Sequence, residues 1–197
     1  FRNFMSFDRR WLEEQGSEDS HGRAIWALGV CTGGNLPASD QALAGHLFAR
    51  ALPAALNFTS LRAMAFSLFG ILEYLVRFSG NRQVALVQEA LAERIFEHFQ
   101  RVAQPDWLWC EEYLCYDNPR LAQALICSAA QLNRPDYLEM GLQALTWLMQ
   151  LQLSDTRHLR PIGSDRVFHR GQEKPRFDQQ PVEAWASVSA SLDACRG

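Results

Sequence analysis

Hydrophobic positions along the chain recur mostly at helical spacing, and proline and glycine divide the sequence into helical segments. In 82–102 the apolar residues Val84, Val87 and Leu91 follow at intervals of three or four, which predicts an amphipathic helix. The segment 61–78 is apolar nearly all round and predicts a helix that is buried on most sides. Almost nothing in the chain is typical of a strand. The same reasoning predicts seven helices, over 22–31, 40–52, 61–78, 82–102, 119–132, 136–153 and 181–195.

Polar residues before these helices are candidate N-caps, and prolines fit the first helical positions. Ser, Asp and Asn side chains accept hydrogen bonds from the exposed N–H groups of a first helical turn, whereas Pro is favoured at the first helical position. The candidate caps are Ser20, Ser39, Ser60 and Asn118. Capping alone is therefore a sufficient explanation for several of the polar residues at helix starts.

The order of the helices predicts pairs with short connections. The pairs span 22–52, 60–102 and 119–153, and the last helix has no partner. Stacked helical hairpins of this length form either an open solenoid or a closed toroid. No solenoid repeat signature recurs along the chain, which favours an all-α array of antiparallel hairpins in an incomplete (α/α)6 toroid, as a single helical domain over 1–197.

Three predicted helices are entered through similar acidic segments. The segments are Glu18-Asp19-Ser20-His21-Gly22-Arg23, Tyr116-Asp117-Asn118-Pro119-Arg120 and Phe177-Asp178-Gln179-Gln180-Pro181. Because alternate helices of a hairpin array run in the same direction, their N-termini lie at one end of the structure. The sequence therefore predicts a polar cleft at that end, built from connecting segments on a rigid helical scaffold.

Composition and charge exclude several classes of partner. Lys and Arg total 19 against 22 Asp and Glu, and a chain with no basic excess lacks the electrostatic attraction of a nucleic-acid-binding protein. The most apolar stretch, 61–76, contains Arg62 and Glu73 and is shorter than a membrane span of ~20 residues. We therefore expect no nucleic-acid and no membrane partner.

The cysteines and the missing motifs narrow the chemistry further. Five scattered cysteines without a close pair predict reduced thiols in a cytoplasmic protein rather than a disulfide framework. No metal-ligand spacing, nucleotide-binding loop or nucleophile motif is present. We accordingly expect no metal and no cofactor.

Aromatic residues lie beside carboxylates at two places in the chain. Trp11 precedes Glu13 and Glu14, and a denser cluster comprises Trp107, Trp109, Glu111, Glu112, Tyr113 and Tyr116. An aromatic ring covers the apolar face of a sugar while polar groups bind its hydroxyls, so these clusters indicate a saccharide ligand. The alternative is that the aromatic residues fill the core, to which we assign Trp26 and Trp147.

Hydrolysis of a glycoside needs one carboxylic acid and one carboxylate. We interpret Glu112 or Asp178 as the acid and Asp19 or Asp117 as the base. An alternative is a sugar epimerase or isomerase in which His21 abstracts a proton, with its pKa raised by Asp19. A further alternative is a non-catalytic helical accessory domain of a glycosyltransferase. The remaining candidate ligand contacts are Glu18, Arg23, Trp107, Trp109, Glu111, Tyr113, Tyr116, Asn118, Arg120, Gln179 and Gln180.

Several blocks of the sequence resemble a known family. The blocks are 3–9 (NFMSFDR), 16–24 (GSEDSHGRA), 116–120 (YDNPR) and 177–184 (FDQQPVEA). They are similar to the six-hairpin (α/α)6 toroid proteins associated with bacterial group-1 glycosyltransferases, which are described as glycoside hydrolase-like. The resemblance implies a carbohydrate ligand in a central funnel and a glycosyltransferase as a possible partner. An upstream Asp-Asp-Asn-Ala-Arg type motif of that family is absent, and a toroid needs twelve helices, so we expect the chain to be the C-terminal part of a longer protein.

Overall fold

A computed structural model describes residues 1–196 of the chain as a mostly helical protein. The prediction of an all-α protein is confirmed, with all seven predicted helices present, whereas the toroid remains a prediction. The helices are α1 (Glu18–Gly33), α2 (Ala38–Ala51), α3 (Leu61–Arg77), α4 (Arg82–Val102), α5 (Pro119–Leu132), α6 (Pro135–Leu151) and α7 (Pro181–Ala194). A short 3-10 helix, Leu52–Asn57, follows α2 directly. Two-residue strands, β1 (Tyr113–Leu114) and β2 (Phe168–His169), pair antiparallel.

Helices α1 and α2 begin earlier than predicted, because another residue than the predicted one occupies the N-cap position. Helix α1 begins at Glu18, because Ser17 rather than Ser20 caps it by accepting a bond from the Ser20 N–H. Pro37 occupies the N-cap position of α2, which places Ser39 inside the helix. The prediction of Ser60 as the cap of α3 is confirmed, since its side chain accepts from Ala63 N–H.

The chain divides into two compact units, residues 1–93 and residues 94–196. In the first unit α3 is the central helix, with twelve of its seventeen residues buried, as its all-round apolar pattern predicts. Helix α2 buries Phe48 completely, whereas Leu43 on the same helix is exposed.

Helices α1 and α3 of the first unit run parallel and in close contact. Gly22 lies against Ala63, Gly29 against Gly70 and Gly33 against Glu73, in the same order along both helices. A Cβ atom added to Gly29 would lie 2.0 Å from the Gly70 carbonyl oxygen, so no larger residue fits between the two backbones. The two N-termini consequently lie side by side.

The second unit repeats this parallel arrangement in α5 and α7. Asn118 lies against Glu183, Gln123 against Ser189 and Cys127 against Asp193, again in the same order along both helices. Helices α5 and α6 form an antiparallel hairpin, in which Asn133 takes a left-handed conformation (φ 51°) to end α5. In residues 1–196, none of the helices is both long enough and apolar enough to cross a bilayer.

Candidate functional site

The first turn of α1 and the start of α3 are joined by the carboxylate of Glu18. One of its oxygens accepts hydrogen bonds from the backbone N–H groups of Thr59 at 2.8 Å and Ser60 at 2.7 Å. These N–H groups precede α3 and have no partner within that helix, and a negative charge there also complements the helix dipole. Glu18, predicted as a ligand contact, therefore holds two helix ends together.

A cavity of about 600 Å³ opens next to this junction, entirely within the first unit. It has aromatic and polar walls, which come from the N-terminal segment, the first turn of α1 and the end of the 3-10 helix. The aromatic residues are Phe1, Trp11 and Phe58, and the polar ones are Arg2, Glu14, Gln15, Ser17, Glu18, His21 and Asn57. The volume lies within the range of small-molecule binding sites.

The N-terminal segment is held over the end of α1 by polar contacts. Asn3 donates a side-chain hydrogen bond to the Ser17 hydroxyl at 3.0 Å and accepts one from the Ser17 N–H at 3.1 Å. The Glu13 carboxylate accepts from the backbone N–H groups of Asn3 and Phe4. Residue Met5 forms an isolated antiparallel bridge with Trp11. These contacts place the Trp11 side chain at the cavity.

Trp11 and Phe1 are the two aromatic residues of the cavity that a ligand can reach. About half of each residue is exposed, 47% of Trp11 and 48% of Phe1, whereas Phe58 is buried. The Arg2 guanidinium lies 5.7 Å from the centre of the indole ring and donates from Nε to the Glu14 carbonyl oxygen. Since Glu14 and Gln15 are also exposed, an open aromatic face lies among hydrogen-bonding groups.

His21 lines the same cavity with its imidazole ring held in place. Its Nε2 atom lies 3.0 Å from the Ala51 carbonyl oxygen, and because a carbonyl only accepts, Nε2 carries the hydrogen. Its Nδ1 atom lies 3.2 Å from the Phe1 amino nitrogen. Burial lowers the pKa of His21, while the bond to Ala51 opposes the shift. The prediction that Asp19 raises this pKa is wrong.

Asp19 and Arg23 are engaged with each other rather than with the cavity. The Arg23 Nε atom donates to Asp19 at 3.0 Å across one helical turn, and the Arg23 guanidinium lies 4.0 Å from the centre of the Phe66 ring. Neither residue belongs to the cavity lining. We therefore assign this pair to the surface of α1 instead of the predicted base and ligand contact.

The second unit contains a buried polar cluster between the N-termini of α5 and α7. Glu183 accepts hydrogen bonds from the backbone N–H and the side-chain amide of Asn118, both at 3.2 Å. Burial raises the pKa of Glu183, with a further contribution from the charge of Asp117, against the bonds from Asn118. The N–H group of Asn118, at the start of α5, is thus capped by the Glu183 carboxylate of α7. The side chain of Asn118 does not cap α5.

Asp117 and Arg120 of this cluster are withdrawn from solvent. Their closest charged atoms are 3.5 Å apart, and both side chains are almost fully buried. Arg120 also donates to Gln123 at 2.6 Å and to Ser189 at 3.0 Å, and its guanidinium lies 3.9 Å from the centre of the Trp185 ring. A buried carboxylate and guanidinium reach no saccharide, so we assign both to packing between α5 and α7.

Trp107 and Trp109 belong to the core of the second unit rather than to a sugar platform. The two rings pack on Trp147 with centroid distances of 4.9 Å and 6.2 Å. Trp107 donates from its indole nitrogen to the Glu111 carbonyl oxygen at 2.7 Å. A buried ring offers no face to a saccharide. Of the predicted platform, only Tyr113 and Tyr116 keep partly exposed side chains.

The other predicted site residues of this unit lie on exposed connecting segments. Glu112 is exposed and its carbonyl oxygen accepts from the Arg170 N–H at 3.0 Å. Asp178 is exposed with a positive φ of 55°, and its carbonyl oxygen accepts from the Ser164 hydroxyl. The adjacent glutamines bind within the same connection: Gln179 donates to the Arg176 carbonyl oxygen and Gln180 to the Ser164 hydroxyl.

Eight of the aromatic and polar residues that line the cavity of the first unit were missed as site residues from the sequence. They are Phe1, Arg2, Trp11, Glu14, Gln15, Ser17, Asn57 and Phe58. The sequence did carry a signal for Trp11 and Glu14, which form the smaller of the two aromatic–carboxylate clusters. Asn57 gave none, since it ends a 3-10 helix that the hydrophobic pattern does not predict.

Comparison of the chain with models of protein families, with curated proteins and with solved structures finds no match. The resemblance to six-hairpin toroid proteins therefore stays a prediction. Among residues 1–196, no three or more His, Cys, Asp or Glu side chains are grouped so as to hold a metal ion. The function must be argued from the geometry of the cavity.

Proposed function

We propose that this protein is a carbohydrate-active protein that binds a saccharide in the cavity beside the N-termini of α1 and α3. The observation that carries the proposal is the half-exposed indole of Trp11 in a cavity of about 600 Å³ that also presents carboxylate, amide and guanidinium groups. A sugar ring has apolar C–H faces and a rim of hydroxyls, and such a wall complements both. The resemblance to six-hairpin toroid proteins agrees with this ligand class.

The glycoside hydrolase-like activity is the finer part of the proposal, and the first unit supports binding more than hydrolysis. Hydrolysis needs two carboxyl groups at the scissile bond. The cavity offers Glu14 and Glu18, but the Glu18 carboxylate already accepts from the N–H groups before α3. Glu14 is thus the carboxylate of this cavity that is best placed to meet a ligand.

His21 is better suited to positioning than to proton abstraction. Its Nε2 hydrogen is directed at the Ala51 carbonyl oxygen and its Nδ1 atom lies against Phe1. A sugar epimerase would need one ring nitrogen directed at the substrate. We therefore favour saccharide binding over epimerisation.

Titration calorimetry of the purified protein against a panel of oligosaccharides and sugar phosphates tests this function. We expect at least one ligand to bind, and Trp11→Ala to weaken its binding about tenfold, since the indole loses its apolar contact with the sugar. Phe7→Ala is the matched control, because Phe7 is a fully exposed aromatic residue of the same segment outside the cavity lining. Equal affinity of Trp11→Ala and the wild-type protein would overturn the proposal.

A second comparison separates binding from hydrolysis. Glu14→Gln removes the carboxylate of this cavity that is best placed to meet a ligand. If the bound ligand is also cleaved, loss of cleavage with unchanged affinity in Glu14→Gln would support a glycoside hydrolase-like activity at this cavity. Unchanged cleavage would remove Glu14 from the mechanism.

A further inference from the structure

The first unit contains another cavity, which differs in chemistry from the saccharide site. It has a volume of about 440 Å³ and lies between α2, the 3-10 helix, the C-terminal part of α3 and the N-terminal half of α4. Its floor is formed by buried side chains, including Phe48, Leu52, Val84 and Val87. Phe48 is fully buried and stacks on Tyr74 with a centroid distance of 4.7 Å and an interplanar angle of 5°, which fixes the half-buried Tyr74 ring in the wall of the cavity.

Within the described range 1–196, no charged residue lines this cavity. Leu56 and Leu86, at its rim, leave about half of their surface exposed, although both would gain from being covered by an apolar group. An ionic ligand would lose its hydration there without a counter-charge, which is costly. The lining therefore selects an uncharged, mainly apolar occupant.

One edge of the cavity is polar and provides a hydrogen-bond donor. Asn81 donates from its side-chain amide to the Tyr74 hydroxyl at 3.0 Å and accepts from the Val84 N–H at 3.3 Å. The Tyr74 hydroxyl accepts the bond from Asn81 and keeps its own hydrogen, since a phenol is both donor and acceptor. A ligand with an acceptor at one end would meet this hydrogen.

We propose that this cavity binds a small, uncharged aromatic molecule that carries one hydrogen-bond acceptor, such as a ketone. The volume lies within the range of small-molecule sites. A stable protein interface buries about 800 Å² on each partner, whereas the exposed apolar rim amounts mainly to Leu56 and Leu86. The concave, charge-free shape with hydrogen-bonding groups at one edge fits a ring-sized ligand better than a second protein.

Fluorescence titration with two neutral probes tests the proposal. We expect both N-phenyl-1-naphthylamine, which lacks a carbonyl group, and 6-propionyl-2-dimethylaminonaphthalene, which is a ketone, to bind with increased, blue-shifted emission. Ala49→Trp places a large ring at the cavity edge and should abolish binding of both. Ala27→Trp is the matched control, because Ala27 is an exposed helical alanine outside this lining, and it should bind as the wild-type protein does.

A second variant tests the predicted hydrogen bond. Tyr74→Phe should weaken binding of the ketone probe about fivefold while leaving the affinity for N-phenyl-1-naphthylamine within twofold, because only the ketone accepts from the hydroxyl. No emission change with either probe, or equal binding by Ala49→Trp, would overturn the proposal. Sedimentation that shows a dimer dissociating as the probe binds would assign the surface to a second copy and would also overturn it.

Discussion

Replacement of Gly29 by alanine is the sharpest test of the parallel helix pair that shapes the saccharide cavity. Its new Cβ would lie 2.0 Å from the Gly70 carbonyl oxygen, whereas ordinary contact begins at 3.4 Å, so α1 and α3 must move apart by more than 1 Å. Overpacking of this kind costs about 3 kcal/mol when backbone is the obstacle. Alanine returns about 1 kcal/mol through its better helix propensity, which leaves a net loss of about 2 kcal/mol.

Gly45→Ala is the control for that substitution. Gly45 is also helical, but its new Cβ would meet only the Thr32 side chain, with the methyl group at 3.4 Å and the hydroxyl oxygen at 3.8 Å, so the propensity gain of roughly 1 kcal/mol remains. Urea unfolding followed by circular dichroism should therefore show Gly29→Ala destabilised and Gly45→Ala stabilised. Equal or greater stability of Gly29→Ala would refute the close approach of the two helices, and with it the junction at Glu18.

Three further predictions concern the titrating groups and the aromatic core. The pKa of Glu183 is raised above its ordinary value of 4.5. The free energy of unfolding should therefore fall as the pH rises through the pKa of Glu183 in the folded protein. Urea unfolding midpoints of Glu183→Gln should not show this fall with pH. The pKa of His21 is lowered, so an NMR titration should place it below 6.5. The first unit should accordingly lose stability as the pH falls below about 6.5, the pKa of an unperturbed histidine in the unfolded chain. Trp109→Ala should cost about 3–5 kcal/mol in urea unfolding, whereas Tyr116→Ala, at a partly exposed ring, should cost less than about 1 kcal/mol; similar losses would contradict the burial of Trp109.

The helices were predictable because their signals are local. In α4 the apolar residues repeat every three or four positions, and its predicted bounds, 82–102, agree with the structure. Prolines at the starts of α5 and α7 marked those ends equally well. The start of α1 was missed because Ser17 and Ser20 are equivalent as local caps, and the choice between them depends on contacts of Ser17 with Asn3.

The candidate site was less predictable, because the use of a polar group depends on tertiary contacts. Glu18 and Glu183 both lie in first helical turns, and each accepts bonds from the start of a neighbouring parallel helix. Nothing local distinguishes such a carboxylate from one that meets a ligand. The same holds for aromatic residues, since Trp11 and Trp109 both stand near glutamates, yet the first is half exposed and the second is buried.

The most direct test of saccharide binding at this cavity is an NMR titration of the six tryptophan indole N–H signals. Trp11 lines the cavity, whereas the other five tryptophans do not. Binding of a saccharide should therefore shift the Trp11 signal strongly and leave the others nearly unchanged. A ligand that shifts Trp107, Trp147 or Trp185 while Trp11 stays in place would contradict the proposed site.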